Sequence, residues 1–170
     1  MTQRAIGWAI LVGGAVGGAL DILFAISFAG FNGVPPLRLL QTVASGLLGE
    51  ASYAGGVATA MLGLALHFLL AYVFASVYVL ASLRSPHLTR NAVAAGALFG
   101  IAVFVIMRLV VLPLSAFPHP VTFRPVATVL DLLSHMLLFG VPIALAARKA
   151  SSAAPHGSKA SNSKTLGDAA

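Results

Sequence analysis

The chain contains no cysteine and has very few charged residues for its length. Among its 170 residues none is cysteine, 8% are Asp, Glu, Lys or Arg, and 4 are acidic. Without cysteine there is no disulfide framework and no thiolate metal site. A soluble domain carries about 25% charged residues, so this composition excludes an ordinary water-exposed surface. The scarcity of charge favours a surface that faces lipid.

The residues that are present form four long apolar segments. Each has about the 20 residues that a helix needs to cross the hydrocarbon core. Each must be helical, because lipid offers the backbone no hydrogen-bond partners. We therefore predict an all-α membrane protein, a four-helix transmembrane bundle within residues 1–147. The predicted spans are residues 5–30, 57–80, 92–112 and 126–147.

Two further segments lie outside these spans. Residues 35–49 start with a proline pair and repeat leucine and alanine every three or four residues. They are too short to cross a membrane, so they predict a short interfacial helix between spans one and two. Residues 148–170 are polar, small and without periodicity, which is typical of a disordered tail.

The distribution of lysine and arginine predicts the orientation, because cytoplasmic ends of membrane proteins are enriched in these residues. The side that carries both termini has most of them, whereas the opposite side has Arg38 and Arg124. The residues on the terminal side are Arg4, Arg84, Arg90, Arg148, Lys149, Lys159 and Lys164. We predict a multi-pass protein with both termini in the cytoplasm, and the scattered basic residues give no face for nucleic acid.

Five ionisable side chains interrupt the spans at similar depths. A rise of about 1.5 Å per residue places Asp21, Arg108 and Asp131 about 7–10 Å below the outer boundary. His135 and His67 lie about 13 and 15 Å deep, near the middle of a core roughly 30 Å thick. Small residues share their helix faces, which indicates that these side chains point into the bundle. We predict one buried polar cluster of Asp21, His67, Arg108, Asp131 and His135.

Charge balance within this cluster predicts a retained proton. Arg108 stays charged, and an unpaired charge at the centre of a spanning helix costs roughly 2.5–3.5 kcal/mol. Asp21 and Asp131 both lie within its reach in depth, which leaves one negative charge in excess. We expect Asp131 to pair with Arg108. We also expect one carboxyl group, or Asp131 and His135 together, to hold a proton at neutral pH.

Three functions are compatible with such a cluster. The first is transport of a small solute or of protons through an outward-opening pocket, since the polar residues extend only from the outer side to the membrane centre. The second is a structural or accessory subunit whose cluster is a polar clamp that fixes helix register. We predict no bound cofactor; the third reading, haem or a divalent metal, would use His67 and His135 as ligands.

Motifs for catalysis and nucleotide binding are missing. Ser134 and His135 are adjacent on a helix, where neighbours point about 100° apart, and they lack the glycines of a nucleophile elbow. The run GGAVGG at residues 13–18 lies inside a span with no strand before it. The sequence favours a non-enzymatic protein whose partners are the lipid bilayer and a second copy bound through the glycine-rich faces of the first or third span.

Four motifs follow one another along the spans. They are PPLRLLQTVASGLLG, GLALHFLLAY, GALFGIAVFVIMRLVVLPL and SHMLLFG. This order resembles a group of uncharacterised bacterial four-helix inner-membrane proteins over residues 5–147. The resemblance implies the four-helix fold and a bacterial inner membrane. It implies no activity, and Asp21 and Asp131 lie outside the matched pattern.

Overall fold

Five helices make up most of the chain that the structure describes. The structure is a computed structural model, and it describes residues 1–152. The helices are α1 (Gln3–Phe31), α2 (Pro36–Leu48), α3 (Gly56–Arg84), α4 (Ala92–Leu114) and α5 (Pro125–Ser152). All except α2 are long and apolar enough to cross a membrane. The predicted fold class, an all-α four-helix membrane protein, is confirmed.

The ends of the helices follow from local chemistry. The Thr2 hydroxyl accepts a hydrogen bond from the Ala5 amide at the start of α1, which satisfies one of the free amides there. Pro36 and Pro125 occupy the first turns of α2 and α5, where a missing amide hydrogen costs least. Gly49, with φ of 60°, ends α2 in a backbone conformation that favours glycine.

The end of α5 corrects one predicted boundary. The helix continues to Ser152, beyond the predicted end at residue 147. No proline or glycine follows Pro142 until Pro155, and alanine-rich sequence readily extends a helix into the aqueous layer. The first residues of the predicted tail are therefore helical, and the remainder, residues 153–170, lies outside the described part of the chain.

The short helix α2 packs across α3. Its residues Gln41, Ala44 and Ser45 are buried, and the Gln41 amide donates a hydrogen bond to the Gly56 carbonyl at 3.1 Å. Gly63 of α3 lies directly against the main chain of α2, where a side chain would collide with the carbonyl of residue 40. This contact holds α2 over one end of the bundle.

The glycine faces predicted from the sequence lie between helices of the same chain. A Cβ atom at Gly17 of α1 would lie 3.0 Å from the Phe139 carbonyl oxygen of α5. A Cβ atom at Gly96 of α4 would lie 2.8 Å from the Val141 Cα atom. A second copy would have to compete with these contacts, and the homodimer stays a prediction.

Two wide turns interrupt the regular helical hydrogen bonding of α4 and α5. In Met107–Val111 and His135–Gly140 amides bond to carbonyls five residues earlier, as in a π-helix. Pro113 and Pro142 follow these turns. A proline lacks an amide hydrogen and its ring collides with the carbonyl four residues before it, and a wider turn accommodates both effects. Arg108 and His135 lie within these two turns.

The Tyr78 hydroxyl fixes the connection between α3 and α4. Tyr78 is buried and donates a hydrogen bond to the Leu88 carbonyl at 2.8 Å. We expect Tyr78→Phe to lower the free energy of unfolding by about 1 kcal/mol, because that carbonyl loses its partner. Chemical unfolding in mixed micelles measures this loss. Tyr72→Phe is the control, because the hydrogen bonds within residues 1–152 include none from its hydroxyl; equal losses in both variants would contradict the prediction.

Candidate functional site

A cavity of about 580 Å³ lies among the helices, in the half of the bundle away from the N-terminus of α1. Ligand pockets in proteins occupy about 300–1,000 Å³. The lining comes from all five helices and is mainly apolar. The five predicted cluster residues all belong to it: Asp21, His67, Arg108, Asp131 and His135.

An ion pair joins α4 to α5 at this cavity. The Arg108 Nη2 atom lies 3.1 Å from Asp131 Oδ2, which is the pairing predicted from the charges. The Nη1 atom of Arg108 donates to the Thr122 carbonyl at 3.3 Å. The guanidinium also lies 5.7 Å from the ring centres of Phe104 and Phe123. The positive charge of Arg108 is therefore stabilised by a carboxylate, a carbonyl oxygen and two aromatic rings.

The other Asp131 oxygen faces His135, one helical turn later. The Nδ1 atom of His135 lies 2.9 Å from the Asp131 carbonyl oxygen and 3.2 Å from Asp131 Oδ1. It also lies 3.8 Å from Asp21 Oδ1. The Asp131 carbonyl oxygen can only accept a hydrogen bond, so Nδ1 carries the hydrogen and donates it. Within residues 1–152, the Nε2 atom has no hydrogen-bond partner, and it is the atom at which the ring takes up a proton.

Asp21 is joined to α5 through a serine. The buried Ser134 hydroxyl donates to Asp21 Oδ1 at 2.7 Å. This role of Ser134 was not predicted from the sequence, where Ser134 was weighed only as a nucleophile. The sequence spacing could have indicated this contact, because Ser134 follows Asp131 by three residues and so shares a helix face with it. No ion pair links Asp21 to Arg108 in the described residues.

His67 lies apart from the other predicted residues. Its Nε2 atom is 2.8 Å from the Gly18 carbonyl oxygen of α1. A carbonyl only accepts, so Nε2 donates this bond. His67 lines the same cavity but forms no hydrogen bond or ion pair with the other four in the described chain. We call the four residues that these contacts join, Asp21, Arg108, Asp131 and His135, the ion-pair network; the contacts of His135 are ion pairs only when its ring is protonated.

The four side chains of the ion-pair network were predicted to be buried, and the structure corrects this prediction. The exposed fraction of the side chain is 14% for Asp21, 16% for His135, 20% for Arg108 and 36% for Asp131. They are half-buried because they face a cavity, where their polar atoms remain reachable. Counting along a helix gives depth and face, but it does not reveal the empty space beside a residue.

The haem or metal reading gains no support from this geometry. The Nε2 atom of His67, a usual ligating atom, is bonded to the Gly18 carbonyl. Within residues 1–152, no group of three or more His, Asp or Glu residues is arranged to hold a metal ion.

Comparison with known proteins gives no relative for this chain: no family model, no curated protein and no solved structure matches it. The resemblance to uncharacterised bacterial inner-membrane proteins therefore stays a prediction.

Proposed function

We propose that this chain is a membrane transporter that binds a small solute, protons or both in the cavity. The observation that carries the proposal is the ion-pair network on the wall of a ligand-sized space, inside an otherwise apolar bundle. Charged groups within a membrane are costly and mark solute or proton pathways. A network that served only to join helices would be expected to pack without an adjoining cavity, as protein interiors do.

The free nitrogen of His135 supports proton binding. Its Nδ1 atom is occupied by oxygen acceptors, so the next proton goes to Nε2. With His135 neutral, the ionised network has one net negative charge, since two carboxylates face one guanidinium. Uptake of one proton makes it neutral. A change of one charge in a poorly solvated place alters the electrostatic energy of a bound solute strongly.

We further propose that both termini are cytoplasmic and that the membrane is a bacterial inner membrane. The ends of α1 and α5 lie together, since the Lys149 ammonium is 5.3 Å from the Trp8 ring centre. Arg4, Arg84 and Arg90 are at the corresponding ends of their helices or connections, as the enrichment of basic residues on the cytoplasmic side requires. The cavity then opens towards the outer half of the bilayer.

Proton flux into proteoliposomes tests this function. A pH-sensitive dye inside the vesicles follows an imposed proton gradient, with and without candidate solutes outside. We expect wild-type protein to accelerate the internal pH change and His135→Gln to reduce it to the rate of protein-free vesicles. His119→Gln is the control, because His119 contacts Tyr53 and is not part of the cavity wall. Identical traces for wild type and His135→Gln, with and without the solutes, would contradict proton transport through this site.

A second candidate is a structural or accessory subunit that uses the network as a polar clamp. It is favoured by direct contacts between helices: Ser134 with Asp21, and Arg108 with Asp131. These contacts join α1, α4 and α5. A clamp predicts that His135→Gln lowers the free energy of unfolding while wild-type and variant vesicles show the same background proton flux.

A further inference from the structure

Among the charged groups around the cavity, the Asp21 carboxylate has fewer partners of opposite charge than the Arg108 guanidinium. The Arg108 guanidinium is held by Asp131 and by the Thr122 carbonyl. Asp21 receives one serine hydrogen bond and lies 3.8 Å from an imidazole nitrogen. With His135 neutral, the net negative charge of the cavity wall therefore resides mainly on Asp21. An anion would be repelled here, whereas a cation would be attracted.

The rest of the wall suits an apolar ligand. Aliphatic side chains from α1, α2, α3 and α4 line the space, and α2 adds no ionisable residue to it. The aromatic residues Phe74, Phe104, Phe117 and Phe139 also contribute. Aromatic faces attract cations, most strongly when the cation is poorly hydrated. One negative charge in an apolar and aromatic cavity is complementary to a bulky cation whose charge is shielded by carbon.

We propose that the solute is a hydrophobic organic cation, which binds beside Asp21 and is displaced when His135 takes up a proton. This inference rests on the proposed transport function and names its cargo. The cation and the proton compete because each alone neutralises the wall, whereas both together leave a net positive charge. The groups that set this balance are Asp21 of α1, Arg108 of α4, and Asp131 and His135 of α5, with His67 of α3 on the same wall.

Two probe ions of the same shape and opposite charge test the selection. Tetraphenylphosphonium and tetraphenylborate are added to proteoliposomes in equilibrium dialysis, and protein-free vesicles give the lipid background. We expect saturable binding of the phosphonium only. Its affinity should fall on the order of tenfold from about pH 8 to about pH 5.5, where histidine gains a proton and the wall becomes neutral. Equal binding of both ions would overturn the inference.

The variant Asp21→Asn removes the charge and keeps the contact with α5, because an amide oxygen still accepts the Ser134 hydrogen bond. We expect it to weaken phosphonium binding on the order of tenfold at about pH 8, where the wild-type wall carries its net negative charge. Glu50→Gln is the matched control, since it removes the same charge from an exposed residue away from the cavity. Unchanged phosphonium binding in a folded Asp21→Asn protein would overturn the inference.

The two proposals fail in different ways. If His135-dependent proton flux is measured and the phosphonium does not bind, transport stands and the cation assignment is wrong. If the phosphonium binds with the expected charge and pH dependence but neither the phosphonium nor protons cross the membrane faster than in protein-free vesicles, the site is supported and the transport function is wrong.

Discussion

Gly100→Leu is expected to separate α4 from α5 and to lower the free energy of unfolding by about 3 kcal/mol. A Cβ atom at Gly100 would collide with the His135 carbonyl group and lie 2.5 Å from the Met136 Cα atom. These obstacles are main-chain atoms of a packed helix, so they move only if α5 moves as a whole. The contact lies at the wide turn of α5, and its loss would also displace His135 from the cavity.

Gly7→Leu is the matched control for this substitution. Gly7 is also a helical glycine, and a Cβ atom there meets nothing within 4 Å. Its free energy of unfolding should stay within about 0.5 kcal/mol of the wild-type value. Unfolding in mixed micelles, followed by circular dichroism, measures both variants. Equal stability of the two proteins would mean that α4 and α5 do not approach closely at Gly100.

The helices were predictable because each span is determined by its own composition. An apolar segment of sufficient length must be helical in lipid wherever its neighbours lie, and the observed ends differ from the predicted ones by a few residues. The extension of α5 to Ser152 was missed because hydropathy marks the end of the apolar segment, whereas the helix ends where its hydrogen bonding ends.

The contacts at the site were only partly predictable. The Arg108–Asp131 pair follows from depth and charge, since a guanidinium in a membrane requires an anion. His67 lies at a similar depth to His135, but its Nε2 atom is bonded to the Gly18 carbonyl. Depth does not fix the position of a helix around the bundle. An outward-opening pocket was part of the transport hypothesis, but its size and lining were not predictable, because they depend on the space that remains after five helices have packed.

The second large effect is expected when the ion pair is broken from one side. Arg108→Gln leaves the Asp131 carboxylate without its cation, and Asp131→Asn leaves a permanent guanidinium without an anion. Breaking a fully buried pair costs about 3–5 kcal/mol. Because these side chains are 20% and 36% exposed, we expect each single variant to lose about 2 kcal/mol. The double variant should lose less than the sum of the two, since it leaves no charge unpaired.

The same double variant locates the charge that a cation would recognise. Removing Arg108 and Asp131 together leaves the carboxylate of Asp21 and the imidazole of His135, so the network keeps one net negative charge. If Asp21 attracts the ligand, Arg108→Gln/Asp131→Asn should bind tetraphenylphosphonium within about threefold of the wild-type affinity, while Asp21→Asn does not. Equilibrium dialysis of the folded variants at about pH 8 measures this. Loss of binding in the double variant, with its stability retained, would assign the attraction to Asp131 and not to Asp21.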